Sequence, residues 1–381
     1  GDRVGADPME VPASVAVIDR ERLETEAITD FRSALERVPG VMPIFEYGGF
    51  QFLTVRGFSD FLVLHDGHRD DRSTIAMSAP QGGLYDVERI EVLRGPSSVL
   101  YGYGALGGVI DIVYRAPEAE AAYAGTLGIG SQGERRLRVG ATGPTFHRSL
   151  LYRVDAGHST RSDFRGLETR QDGVSVTLDY LPTPAHRLRV RAAVVDDAYS
   201  TDAGIPTLNG RIPDGVDRGT RYNTPQDFMR YRRYDVSVDY GYRIREHLEL
   251  RNRFAFSRDS YEYLSTETLA VAANGNDVER GFFYLDRRWY PWSEQVELHA
   301  EVGGRVRQQI AVGYELGLLF SRHPRSDVFD TPVAPVALRN PGPDPQPEVP
   351  IAIVAKDTRD QRTHSLYAHD HVTLPGGVIL V

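Results

Sequence analysis

The chain has 381 residues, of which 41% are hydrophobic, with a formal charge of −9 and no cysteine. That length exceeds one compact domain, and no apolar run reaches the ~18 residues of a membrane helix. Disulfides and thiolate metal sites are excluded, and the acidic balance argues against a general nucleic-acid binder.

Residues 1–117 read as a mixed α/β unit. Val15, Val17 and Ile18 predict a short strand, after which Asp19 can cap a helix over Arg20 to Glu26. Phe31, Ala34, Leu35 and Val38 recur at helical spacing behind Thr29-Asp30, and Pro39-Gly40 stops that helix. Further strands are expected at Phe52 to Gly57, Phe61 to His65, Val87 to Leu93 and Gly108 to Val113.

Residues 118–381 follow a different grammar, a period of two. Val174, Val176, Leu178 and Tyr180 alternate with Ser175, Thr177 and Asp179, and similar runs occupy 234–244, 248–256 and 310–320. In a strand such sets face opposite sides. A soluble sandwich also alternates, but these strands exceed the usual ~5–6 residues, and their polar faces carry many charges, as a wet lumen allows. Short links at 143–144, 182–184, 245–247, 303–304 and 375–377 alternate with long ones at 201–230, 264–281 and 323–360, the parity of periplasmic turns and extracellular loops. The proline-rich 323–360 is expected to be extended or mobile.

The stretch Tyr85-Asp86-Val87-Glu88-Arg89-Ile90-Glu91-Val92-Leu93-Arg94-Gly95-Pro96-Ser97-Ser98-Val99-Leu100-Tyr101-Gly102 closely resembles the plug signature of TonB-dependent outer-membrane receptors, as does its continuation from Gly104 to Val113. Val55-Arg56-Gly57-Phe58 and Asp66-Gly67 fall in that family's order. Gly204-Ile205-Pro206 and Ser365-Leu366-Tyr367-Ala368 look like its siderophore-receptor branch. The resemblance implies an α/β plug in the lumen of an antiparallel barrel of about 22 strands, in the bacterial outer membrane. About ten strands and the start of an eleventh are present, so further strands are expected beyond Val381, with the energy-coupling TonB box upstream of Gly1. It also implies import of ferric siderophores driven by the TonB–ExbB–ExbD complex, with outer-membrane lipid around the barrel and iron present only inside the cargo. Import of cobalamin, haem or a glycan, or a receptor that binds without transport, is the alternative.

By the same resemblance Arg56 and Arg94 pair with inward glutamates, the candidates by alternation being Glu249, Glu297, Glu301 and Glu315, with partners beyond Val381 as the alternative; the competing reading is a cap or ion pair inside the plug. Phe45, Tyr47, Phe50, Arg69, Met77 and Gln81 at the plug apices, with Tyr261 and Tyr263 on the wall, are the candidate ligand contacts, since large chelates suit aromatic surfaces. Other motifs read blandly. Gly102 to Gly107 satisfies GxGxxG, but a strand follows where a dinucleotide site needs a helix. His369-Asp370-His371 reads as a polar strand end, and Asp70-Asp71 and Asp196-Asp197 as solvated loops. No catalytic spacing appears, so no enzyme and no cofactor are expected.

Overall fold

In the computed structural model of the chain, residues 14–70, 72, 77–78, 80–95, 105–304, 306–328, 331–375 and 379–380 are described, without the side chains of Phe45, Glu46, Met77, Ser78, Thr268 and Ile379. The expected TonB box, Asp71, and the turn containing Gly102 and Gly104 lie outside the described residues.

Strand β1 (Ser14–Asp19) runs into helix α1 (Arg20–Thr25), where the Asp19 carboxylate accepts from the Arg22 amide at 2.9 Å. Asp30 caps α2 (Phe31–Leu35) in the same way, through the Ser33 amide at 2.9 Å. An Asp30→Ala change should therefore cost about 1 kcal/mol, checked by the thermal midpoint. The apolar face predicted for α2 is buried with Ile18, Leu53, Ile90, Val92 and Ile110 in one core. Then come β2 (Val41–Tyr47), β3 (Phe50–Val55), β4 (Phe61–His65), β5 (His68–Asp70), β6 (Met77–Ser78), β7 (Val87–Arg94) and β8 (Gly108–Tyr114). A five-stranded sheet has the order β1-β7-β8-β4-β5, and a smaller one the order β2-β3-β6. The prediction missed β2, β5 and β6, which are short or paired only locally.

Seven residues beyond β8, the second sheet begins: β9 (Ala122–Ile129), β10 (Arg135–Pro144), β11 (Leu150–Ser162), β12 (Glu168–Thr183), β13 (His186–Tyr199), β14 (Phe228–Arg245), β15 (Leu248–Val271), β16 (Asp277–Val302), β17 (Arg307–Ser326), β18 (Thr331–Ala337), β19 (Ile353–Thr373) and β20 (Ile379–Leu380). Sequential antiparallel pairing links them in the order expected of a barrel wall, with β18 added beside β16. The faces decide between the two solvents. Val174, Val176, Leu178 and Tyr180 are exposed while Ser175, Thr177 and Asp179 are buried. The apolar face looks outward and the polar face inward against the plug, the inverse of a soluble sandwich.

The loop expected to be extended or mobile is instead fixed. β18 lies within it, and buried Arg280 donates to Asp344 at 2.6 Å and to the Ala334 carbonyl at 2.9 Å. Gln226, in the other long loop, donates to the Val349 carbonyl and accepts from the Val349 amide. The two loops thus form one joined cap over the outer end.

Candidate functional site

The site is the seam between plug and wall. Tight turns after β4 carry a row of polar plug residues, and the inward face of β13–β16 meets them. Arg72 is buried at its centre. Its guanidinium grips both Asp70 oxygens, at 2.7 and 2.6 Å, and reaches across to Asp259 at 2.5 Å and the Tyr231 hydroxyl at 2.7 Å. Ser257 also donates to Asp259. Beside this hub, His65 holds the Tyr114 hydroxyl at 2.7 Å and meets Arg233 of the wall at 3.2 Å. Arg191 closes the row, bonded to plug Asp86 and wall Asp235, each at 2.5 Å, with its guanidinium 3.7 Å from the centre of the Tyr114 ring. Below, Arg253 donates to the Asp66 carbonyl, and His68 approaches Ser293 at 3.3 Å. Charge-assisted bonds of this kind are strong in a low-dielectric seam.

Steric fit adds register to the charge. Gly157 and Gly173 stand opposite each other on β11 and β12. A methyl group on either would overlap Tyr85, so the two glycines open a notch in the wall that receives this ring.

Burial opposes charging of His65, and Arg233 adds repulsion; together they lower its pKa from 6.5 to about 4. Burial raises Asp66 from 3.8 to about 6. Burial also opposes ionisation of Asp70, yet the Arg72 charge overcomes this and holds the carboxyl well below its ordinary range. For His65 the released plug takes up a proton first, so its contribution to seating is complete above pH 6.5 and is lost as pH falls toward 4. Asp66 acts oppositely, because the seated plug binds its proton first. Seating in His65→Gln should accordingly gain on the wild type as pH falls from 6.5 to 4, read by amide exchange of β4 and β5. A pH-independent difference would contradict the assignment.

Several predicted site residues are brought together, though in packing. The Phe50 ring meets Tyr261 edge-on at 4.7 Å, Tyr47 meets Tyr263 at 6.0 Å, and Phe50, Tyr261 and Tyr263 are buried. Tyr47 also donates to Glu267, and its hydroxyl meets that of Ser265. In this conformation these aromatics seat the β2–β3 hairpin on the wall. Half-buried Arg69 lines a cleft of about 60 Å³ with His65, His68, Ser293 and Glu315, and Gln81 lines a smaller one with Gln51 and Tyr199. The first cleft has room for a few waters, far below the ~300–1,000 Å³ of a ligand pocket. The side chains of Phe45 and Met77 lie outside the described residues.

Neither Arg56 nor Arg94 pairs with the candidate glutamates among the described residues. Pairing of β1 with β7 sets Arg94 opposite Ser14, so its guanidinium is satisfied locally, by the Pro39 carbonyl and the Ser14 hydroxyl at 2.6 Å each. Arg56 is exposed, in a left-handed turn with φ 51°, and makes no ion pair among the described residues. Glu249 pairs with Arg251 at 3.0 Å, Glu297 with His299 at 3.2 Å, and Glu301 with Arg307 at 3.8 Å. Glu315 does face the plug, in the cleft that His68 and Arg69 also line. Asp70 and Asp197, read as solvated, are instead buried on β5 and β13, while His369 and His371 lie buried on the face of β19 shared with Tyr367. The partners that sequence reasoning missed are Arg72, Asp86, Arg191 and Asp259. Alternation already turns Asp259 inward with Tyr261, but it says nothing of which plug loop arrives there.

Comparison with known proteins agrees with this geometry. The family model of the TonB-dependent receptor plug domain matches residues 7–109. The ferrioxamine B receptor of Salmonella typhimurium is 28% identical over 256 residues, 65% of this chain and 36% of that receptor. The iron-regulated outer membrane virulence protein of Vibrio cholerae is 31% identical over 252 residues, 60% of this chain and 37% of its own length. The ferric-catecholate import receptor Fiu of E. coli K12, in its open form, superposes with a TM-score of 0.84 at 20% identity, over 98% of this chain and 60% of that one. The chain thus spans little more than a third of these two curated relatives. A matched plug domain followed by an inside-out antiparallel wall gives the chain the fold of the TonB-dependent receptors it resembles, outer-membrane barrels that hold a plug.

Proposed function

We propose that the complete receptor imports a ferric siderophore across the bacterial outer membrane. The observation that carries the reading is a plug seated on the wall through a polar, hydrogen-bonded seam, a contact that water can replace when the plug moves. Loops and plug apices, including Tyr47, Arg69 and Gln81, capture the chelate at the outer face. The TonB–ExbB–ExbD complex then pulls on the plug's N-terminal side, and rearrangement at the seam opens a path to the periplasm. No bond of the cargo is made or broken, no resident cofactor is needed, and iron enters only as cargo. That relatives are named for ferrioxamine B and for ferric-catecholate import supports the siderophore class.

The test is uptake of radiolabelled iron from a panel of ferric siderophores. Cells carrying the complete gene are compared with a deletion strain, with and without a protonophore. Uptake of one chelate that needs both gene and proton motive force is the expected result. Gene-dependent surface binding without uptake would favour a non-transporting receptor, and no iron-dependent difference would favour a different cargo.

A further inference from the structure

We infer that arginines on the outward face of β14–β17 form a docking site for phosphorylated headgroups of outer-leaflet lipids. The inference rests on the membrane-barrel reading and adds to it a defined site. Outward residues of β14 are apolar from Tyr234 through Val236, Val238, Tyr240 and Tyr242 to Ile244. That run covers ~34 Å along the strand at ~3.4 Å per residue, and at the usual tilt it stands ~25 Å tall, the height of the hydrocarbon band. The next outward residue above it is Arg232. On β17 the outward run from Ile310 to Phe320 has the same length, and the residue above it is Arg322. Both arginines therefore sit where headgroup phosphates lie.

Pairing joins them into a row. Arg232 is opposite Ser260, Ser260 is opposite Arg288, and Arg288 is directly opposite Arg322. Arg258, opposite Tyr234, lies on the same face one step below Ser260. All four arginine side chains are exposed. Like charges directly opposed across strands repel, so an anion between Arg288 and Arg322 would relieve a cost that the fold carries. Counter-ions are only partly supplied. Asp196 takes Arg232 at 2.7 Å and Asp286 takes Arg288 at 2.9 Å, while the Tyr284 hydroxyl occupies Glu262 at 2.8 Å. Arg258 and Arg322 make no ion pair among the described residues. The Arg322 guanidinium lies 5.2 Å from the Phe320 ring, which itself packs against Tyr290 at 5.8 Å. This leaves an aromatic floor at the membrane boundary beneath a cationic rim.

A phosphate monoester offers three acceptor oxygens and nearly two charges, and the guanidinium fork matches phosphate bidentately. A lipid with its acyl chains along Tyr290, Trp292 and Leu318 and its phosphate at Arg258, Arg288 and Arg322 satisfies both halves of the surface. A zwitterionic headgroup or free phosphate satisfies one only.

The experiment uses the complete receptor, purified in detergent, as wild type and as the double variant Arg258→Gln/Arg322→Gln. Native mass spectrometry and thermal unfolding are read after addition of diphosphorylated lipid A, its dephosphorylated form, phosphatidylcholine or inorganic phosphate. The wild type should retain the diphosphorylated lipid and gain thermal stability from it, and the variant should bind it at least tenfold more weakly while its ferric-siderophore uptake is unchanged. Equal retention by the variant, equal retention of the dephosphorylated lipid, or equal protection by inorganic phosphate would each overturn the proposal. A wild-type receptor that does not migrate as a folded, heat-modifiable barrel would overturn the membrane reading itself.

Discussion

Replacing Asp259 with alanine in the complete receptor is expected to loosen the seated plug by about 3–5 kcal/mol, the cost of stranding a buried partner charge. Arg72 would keep Asp70 but lose its only carboxylate on the wall among the described residues, in a place that water does not reach. At a factor of ten per 1.4 kcal/mol, amide exchange of β4 and β5 should rise at least about a hundredfold. Asp196→Ala is the matched control. Its pair with Arg232 faces outward and is half exposed, so its loss should cost under about 1 kcal/mol. Unchanged exchange in Asp259→Ala would show that the charge row decorates the seam without holding it.

The second large effect concerns shape. Gly173→Ala sets a methyl group into the Tyr85 ring, and relief requires the plug to shift away from β11 and β12. Overpacking of a closed site costs about 1–3 kcal/mol, and here the strain falls on a docking contact rather than on a domain core. The expected phenotype is a displaced plug, read as increased influx of a large antibiotic that the intact membrane excludes. Trimming the ring with Tyr85→Leu in the same receptor should restore exclusion, because the two positions touch and their effects are non-additive. Failure of that rescue would mean that Gly173→Ala acts on the barrel itself.

Much of the wall was legible because lipid imposes a simple rule. Every second residue must be apolar and every backbone group paired, so alternation at 174–180, 234–244 and 310–320 located the strands and their outward face. The helix caps at Asp19 and Asp30 were legible for a similarly local reason. Contacts between plug and wall were not. Arg56 and Arg94 drew attention as arginines of recognisable motifs, yet Arg94 lies within reach of Ser14 and Pro39 through strand pairing that brings together residues 80 apart in sequence. Arg72 sits in a short turn without periodicity, and Asp86 precedes a strand, so nothing in either neighbourhood names a partner 100 or more residues away. Prolines in 323–360 suggested an extended loop. The anchoring residue, Arg280, belongs to a different strand, where it reads as one more charge.

On the proposed function, cargo passes only when the plug parts from the wall. The most direct test is a covalent tether across the seam, using His68→Cys with Ser293→Cys, whose native side chains meet at 3.3 Å. This chain has no cysteine of its own to compete. With the disulfide closed, as verified by mass spectrometry, ferric-siderophore uptake should fall to the level of the deletion strain while surface binding persists, and a reductant should restore it. Undiminished uptake through a receptor whose tether is fully closed would contradict the account.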